Sequence, residues 1–281
     1  MSRVTTDAGA VDGAELVVVA DAEAVAAATA ERIAATLAEA VSARGRADWA
    51  TTGGSLAPAI YRRLADSPLR DAVPWPSVHV WWGDDRYVPR DHPLSNVKPL
   101  DDSLLSIGWT ESGQLGLGRS GAPPPVPLAL DHLHPFPTTS AIGHARGAAW
   151  CAATLGAELA AAGLDRSGGW PVFDLVLVGV GPDGHVLSVF PGSSALDSSE
   201  LALAIPAPTH VEPHVERVTL NPALLGVARQ VLVAAAGAEK APVLADLLAA
   251  GADPRRWPAR LAVRAGATWV LDAAAADRIG S

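Results

Sequence analysis

Asp183 and His185 stand two residues apart in the segment Val176-Leu177-Val178-Gly179-Val180-Gly181-Pro182-Asp183-Gly184-His185. A carboxylate beside an imidazole is a pair suited to proton transfer, because histidine's ordinary pKa of about 6.5 lets it take and return a proton near neutrality. The glycines and Pro182 build a turn and let a ligand approach the backbone. The residue types leave His185 open between a general base and a hydrogen-bonded turn histidine. They leave Asp183 open between orienting that imidazole and holding a substrate hydroxyl.

Two more polar turns follow apolar runs. Thr51-Thr52-Gly53-Gly54-Ser55 precedes a helical pattern. Its free N–H groups and the helix dipole suit an anion, with Ser55 either capping the helix or bonding a phosphate. The spacing is not that of a Walker loop, and its Lys is missing. Gly83-Asp84-Asp85-Arg86 sets two carboxylates beside a guanidinium, the side chain best shaped for phosphate or carboxylate, although a surface ion-pair cluster has the same composition. Asn96 is a polar contact or a helix cap. Lys240, at the start of a helix after Gly237, is a phosphate or oxyanion candidate or else a solvated surface lysine. His210 and His214 lie in a Pro-rich loop, and His132 and His134 flank Leu133. No Cys, His or Glu set of ligand spacing accompanies them, so no metal is expected.

These turns require strands to hold them in register. Strands are predicted at 15–20, 48–52, 78–82, 173–178, 201–205, 216–220, 230–235 and 268–271. Helices are predicted at 22–43, capped by Asp21, and at 58–65, 95–106, 138–162 and 239–250. Alternating strands and helices imply βαβ units and an α/β fold with a mostly parallel, Rossmann-like sheet covered on both faces. The three glycine turns would then lie on one sheet edge, where such sheets bind ligands. Residues 108–130, rich in Gly and Pro, read as an irregular surface insertion. Residues 1–13 read as flexible. The whole of 1–281 reads as one domain.

Bulk composition narrows the function classes. The net charge of −9 disfavours nucleic-acid binding, which draws on Lys and Arg. No apolar run approaches the ~20 residues of a membrane span. No signal-peptide pattern is visible, and the single cysteine, Cys151, suits a reducing compartment, so a cytoplasmic protein is expected. Cys151 itself reads as a small buried residue on a helix. The nine tryptophans are scattered and read as core or loop packing. A monomer is expected, with a homodimer the alternative.

Several blocks, in order, carry a resemblance: Gly53-Gly54-Ser55; Trp82-Gly83-Asp84-Asp85-Arg86-Tyr87-Val88-Pro89; Ser95-Asn96; Gly179 to His185 with Ser188-Val189-Phe190-Pro191-Gly192; Arg217-Val218-Thr219-Leu220; and Gly237-Ala238-Glu239-Lys240-Ala241. Together they resemble the 6-phosphogluconolactonase family across about residues 15–275. The resemblance implies a three-layer α/β/α fold like that of ribose-phosphate isomerase and glucosamine-6-phosphate deaminase. It implies hydrolysis of 6-phospho-D-glucono-1,5-lactone to 6-phospho-D-gluconate, in the oxidative pentose phosphate pathway, without cofactor or metal. Carried over by motif, His185 would be the base, with Asp183 and Arg86 beside it. Gly53, Gly54, Ser55, Asp84, Asp85, Asn96, Gly184, Arg217 and Lys240 would surround the phosphosugar. Asp85 stands where Glu is usual, Leu56 where Thr is usual, and Val186-Leu187 where Thr-Ala is usual. A glucosamine-6-phosphate deaminase on the same fold is the first alternative. Its histidine loop continues Asn-Glu-Pro-Gly, however, and this one continues Val189-Phe190-Pro191-Gly192. A non-catalytic sugar-phosphate sensor is the second.

Overall fold

Apolar runs without alternation become strands buried on both faces. Ala47–Thr51 and Leu175–Val178 are buried at every residue, as is Ala267–Asp272. The computed structural model describes residues 6–105, 107–109, 115–117 and 125–280. The strands of the two larger sheets are β1 (Thr6–Val11), β2 (Ala14–Val19), β3 (Ala47–Thr51), β4 (Val78–Trp82), β5 (Asp84–Arg86), β6 (Leu133–His134), β7 (Leu175–Val178), β8 (Ala202–Ile205), β9 (Arg217–Leu220), β10 (Gln230–Ala235) and β11 (Ala267–Asp272). Eight of them form the central sheet in the order β1-β2-β11-β10-β7-β3-β4-β6. Every pairing from β2 to β6 is parallel, and only β1 runs antiparallel, at the edge.

Helix α1 (Ala22–Arg44) starts where Asp21 accepts a hydrogen bond from the Ala24 N–H at 2.9 Å. It buries Val25, Ala26, Thr29, Ala30, Ile33, Ala34, Leu37 and Ala40, one stripe at helical spacing, against the sheet and α2 (Ala57–Ala65). Trp49, Trp75, Trp81, Trp82 and Trp269 are all fully buried, so the tryptophans are chiefly core.

Some expectations give way. Residues 6–11 are not a loose end: they pair with β2 through a two-residue hairpin. Asp12 and Gly13, at φ 45° and 84°, supply the positive dihedrals such a turn needs. The span 138–162 is two helices, α3 (Thr138–Gly143) and α4 (Ala148–Ala161). Gly143, the left-handed Ala145 and Gly147 separate them. Residues 95–106 hold only a helical turn at Lys98–Leu100 and a wider turn at Asp101–Leu105, with Pro99 inside the first. The 108–130 segment is not wholly irregular, since Ile107–Trp109 pairs antiparallel with Leu115–Leu117. Residues 110–114 and 118–124 of it lie outside the described residues.

The strands at 202–205 and 217–220 leave the parallel sheet. They form a small antiparallel sheet in the order β8-β9-β5, which packs against α4. Gly83 joins the two sheets: its N–H donates to the Thr51 carbonyl and its own carbonyl accepts from Leu220, each at 2.7 Å. No helix among the described residues is long and apolar enough to cross a membrane.

Leu177 sits fully buried in β7, the strand that leads into the histidine turn. Leu177→Ala should cost about 2–5 kcal/mol of unfolding free energy, seen as a lower urea midpoint. A loss under about 1 kcal/mol would mean that this strand is not the packed centre of the core.

Candidate active site

Parallel pairing brings the C-terminal ends of β3, β4, β7 and β10 to one edge, and their turns wall a continuous crevice. One end is lined by Asp84, Arg86, Asn96, His185, Leu187 and Arg217. The other is lined by Ser55, Leu56, Ile60 and Lys240. Thr52, Gly53, Gly54, Gly179 and Val180 belong to both. Tyr61, in α2, anchors the rim: its hydroxyl donates to the Thr52 carbonyl at 2.5 Å and accepts from Thr51 Oγ1 at 2.8 Å.

His185 Nδ1 lies 2.5 Å from Asp183 Oδ1, and His210 Nε2 lies 2.9 Å from Asp183 Oδ2. Burial opposes ionisation of Asp183. The hydrogen bonds and charge of His185 and the hydrogen bond from His210 outweigh it and hold the carboxyl well below the usual range. An ionised carboxylate only accepts, so both imidazoles donate to it. Whenever the His185 ring is neutral, this contact puts its hydrogen on Nδ1 and the lone pair on Nε2. The ring lies against the backbone of Gly181, where a Cβ would stand 1.9 Å from Nδ1. Phe190 supports the ring from another side, with centroids 4.8 Å apart.

Strand β5 alternates, as strands do. Asp84 and Arg86 line the crevice, and Asp85 points the other way into full burial. Asp85 Oδ1 accepts from the N–H groups of Arg86 at 2.8 Å and Asn96 at 2.7 Å, and Oδ2 accepts from Ser95 Oγ at 3.2 Å. Expected beside a substrate, Asp85 instead pins the 94–97 loop beneath the crevice wall. Burial pushes its carboxyl up to about 7, against those donors. Asn96 is likewise no helix cap. Its Nδ2 donates to the Asp84 carbonyl at 2.9 Å and to Asp84 Oδ1 at 3.1 Å. Its Oδ1 comes so near Gly53 that a Cβ there would stand 2.0 Å away. Ser188 Oγ donates to Asp84 Oδ2 at 2.6 Å, tying the histidine loop to the same carboxylate.

Arg86 and Arg217 are cross-strand partners in the small sheet. Arg86 Nη1 donates to the Leu94 carbonyl at 2.7 Å and Arg217 Nη2 to the Pro213 carbonyl at 3.0 Å. The Nε of each is buried without a hydrogen-bond partner. Burial, then the neighbouring Arg86 charge, lowers the Arg217 pKa. Two guanidiniums lining one crevice suit an oxygen-rich, negatively charged group.

At the far end, Ser55 does not cap α2, whose N-cap position is Leu56 without a side-chain bond. Lys240 stands just ahead of α5 (Ala241–Leu248), half-buried, with burial lowering its pKa and Glu239 and Asp183 opposing that. Gly184, expected at the substrate, is packed beneath the turn instead: a Cβ would meet the Trp257 ring at 2.6 Å. Cys151 is buried on α4, and burial pushes its thiol up to about 12, so it offers no nucleophile. No group of three or more His, Cys, Asp or Glu among the described residues is placed to hold a metal ion. The contacts of His210 with Asp183 and of Phe190 with His185 were not readable from the sequence, although both residues stand in segments singled out above. The glycine motif that contains Gly181 was the one available signal for the close approach to His185.

The family described as glucosamine-6-phosphate isomerases/6-phosphogluconolactonase matches residues 20–270. The chain is similar to a 6-phosphogluconolactonase of Synechocystis, 32% identical over 84% of this chain and 86% of that protein. It is similar to another from Streptomyces coelicolor, 31% identical over 85% of this chain and 84% of that protein. Among solved structures, the 6-phosphogluconolactonase of Trypanosoma brucei is 28% identical with a TM-score of 0.76, covering 98% of this chain and 100% of that one.

Asp85 yields a stability test with a definite sign. Its folded pKa of about 7 exceeds the ordinary carboxylate value of 3.8, so its contribution is full in acid and is lost as pH rises from about 4 to about 7. Asp85→Asn preserves the acceptor oxygen and cannot ionise. In urea titrations across that window, the variant should lose stability less steeply with rising pH than the parent; parallel curves would place the ionisation elsewhere.

Proposed function

The chain belongs to the glucosamine-6-phosphate isomerase/6-phosphogluconolactonase family, and we propose that its activity is that of a 6-phosphogluconolactonase with His185 as general base. The observation that carries the assignment of the base is the Asp183 contact at 2.5 Å on Nδ1 of a ring that lines the crevice; Nε2 is then the nitrogen that takes the proton. The substrate is 6-phospho-D-glucono-1,5-lactone, an activated ester that water attacks without a covalent enzyme intermediate.

His185 Nε2 takes a proton from water as the water oxygen bonds to C1, and the carbonyl pair moves onto oxygen. The oxyanion then re-forms the carbonyl, the C1–ring oxygen bond breaks, and the imidazolium returns its proton to that oxygen. The product is 6-phospho-D-gluconate. Asp183 stabilises the imidazolium between the two transfers. Arg86 and Arg217, at the His185 end, are the oxyanion donors in this reading. The phosphate lies at the other end, between the Gly53-Gly54-Ser55 turn and Lys240, where N–H groups and a half-buried ammonium converge. Binding it there holds C1 in place for attack. No step calls on a metal or a cofactor.

A deaminase reading is weaker because the loop after His185 runs Val189-Phe190-Pro191-Gly192, without the carboxylate that the deaminase motif supplies. The proposal treats the chain as one domain working in the cytoplasm on a free sugar phosphate.

His185→Ala should lower kcat at least ~100-fold with KM little changed; near-normal turnover would remove His185 from the role. Lys240→Ala should raise KM for the phosphorylated lactone at least ~10-fold. The same variant should leave the slower hydrolysis of unphosphorylated gluconolactone within about twofold of the parent. Equal losses on both substrates would move the phosphate away from Lys240.

A further inference from the structure

We propose that His210 is a positioning residue that holds Asp183 from the side opposite His185 and so fixes the carboxylate against the base. The proposal rests on the reading of His185 as that base. Each oxygen of the one carboxylate has its own imidazole, Oδ1 to His185 Nδ1 at 2.5 Å and Oδ2 to His210 Nε2 at 2.9 Å. Rotation about the last aspartate torsion is soft. A carboxylate held through one oxygen can swing, and one held through both cannot.

His210, whose side chain is 52% exposed, has contacts of its own. The Phe190 ring stands near-perpendicular to it, at 81° with centroids 5.6 Å apart, and the same ring contacts His185. Arg217 lies over that ring, 5.7 Å from its centroid. The segment between Ile205 and Arg217 has no regular structure, yet its ends are tied. His214 Nδ1 donates to the Pro208 carbonyl at 2.7 Å, and Arg217 Nη2 donates to the Pro213 carbonyl at 3.0 Å. One loop thus delivers both a crevice guanidinium and the second donor to Asp183.

The electrostatic consequence has a definite sign. Asp183 is faced by His185, His210, Arg217 and Lys240. A second donor draws charge from the carboxylate, which then stabilises the His185 imidazolium less. Removing His210 leaves a more basic partner for His185, so His185 holds its proton to higher pH.

The test measures kcat, KM and the pH profile of lactone hydrolysis for His210→Ala and His210→Gln, with His185→Ala alongside. His210→Ala should lower kcat about 3- to 10-fold, leave KM within about twofold, and move the acid limb of kcat/KM up by about 0.3–1 pH unit. His210→Gln, whose amide can donate to the same oxygen, should recover most of kcat and return the limb toward the parent's position. Ring 15N shifts of His185 should report the same upward titration in His210→Ala without reference to turnover. If His185→Ala is inactive while His210→Ala matches the parent in kcat, acid limb and ring titration, this inference falls alone. If His185→Ala is fully active, the assignment of the base falls with it. A loss in both His210 variants with no movement of limb or titration would make His210 merely structural and also overturn the proposal.

Discussion

An ionised carboxylate accepts hydrogen bonds and donates none, so the contact between Asp183 and His185 decides which ring nitrogen carries the hydrogen. The proposed chemistry at the crevice follows from that. With Nδ1–H committed to Asp183, Nε2 is the atom available to water, and the ring cannot turn over without losing its partner. The turn that presents the pair is narrow enough that Gly181 must lack a side chain, since the imidazole fills the space a Cβ would take. Imidazole, carboxylate and glycine turn are one unit, set at the end of a buried strand.

The scaffold's task is to bring donors from distant parts of the chain to that unit and keep them desolvated. Six consecutive parallel pairings put the strand ends on one edge, and Gly83 stitches the small antiparallel sheet to it. Asp84 then connects three segments: Asn96 and Ser188 both donate to it, and Arg86 and Arg217 stand on the same wall. Burying so many polar groups is costly unless each is paired. The Nε atoms of Arg86 and Arg217 are buried without a partner, so the cost of placing two guanidiniums on this wall is not fully offset by hydrogen bonds.

The parallel sheet was legible because β3, β4, β7, β10 and β11 are short apolar runs ending in polar turns, a pattern that physics allows few other uses. Two strands of the small sheet were legible, at 201–205 and 216–220, but their departure from the parallel sheet was not. The third strand, β5, is Asp-Asp-Arg, with no apolar signal, and its pairing with β9 spans more than a hundred residues. Which of Asp84 and Asp85 faces the crevice follows from the two-residue period of a strand, but only once residues 84–86 are known to be one. The contact of His210 with Asp183 was not legible because the two lie 27 residues apart and His210 sits in a loop without periodicity. The Asp12-Gly13 hairpin uses plain turn chemistry, but residues 6–11 before it carry little apolar signal for a strand.

The central claim is that this chain turns over a phosphosugar lactone, and the lactone also opens unaided. The most direct measurement follows 6-phospho-D-glucono-1,5-lactone and 6-phospho-D-gluconate by 31P and 13C NMR, at catalytic protein concentrations and subtracting the spontaneous rate. The account predicts lactone loss that rises in proportion to protein, with many turnovers per molecule and one gluconate formed per lactone. Loss at only the spontaneous rate, particularly with ammonia released from glucosamine 6-phosphate in parallel, would contradict it.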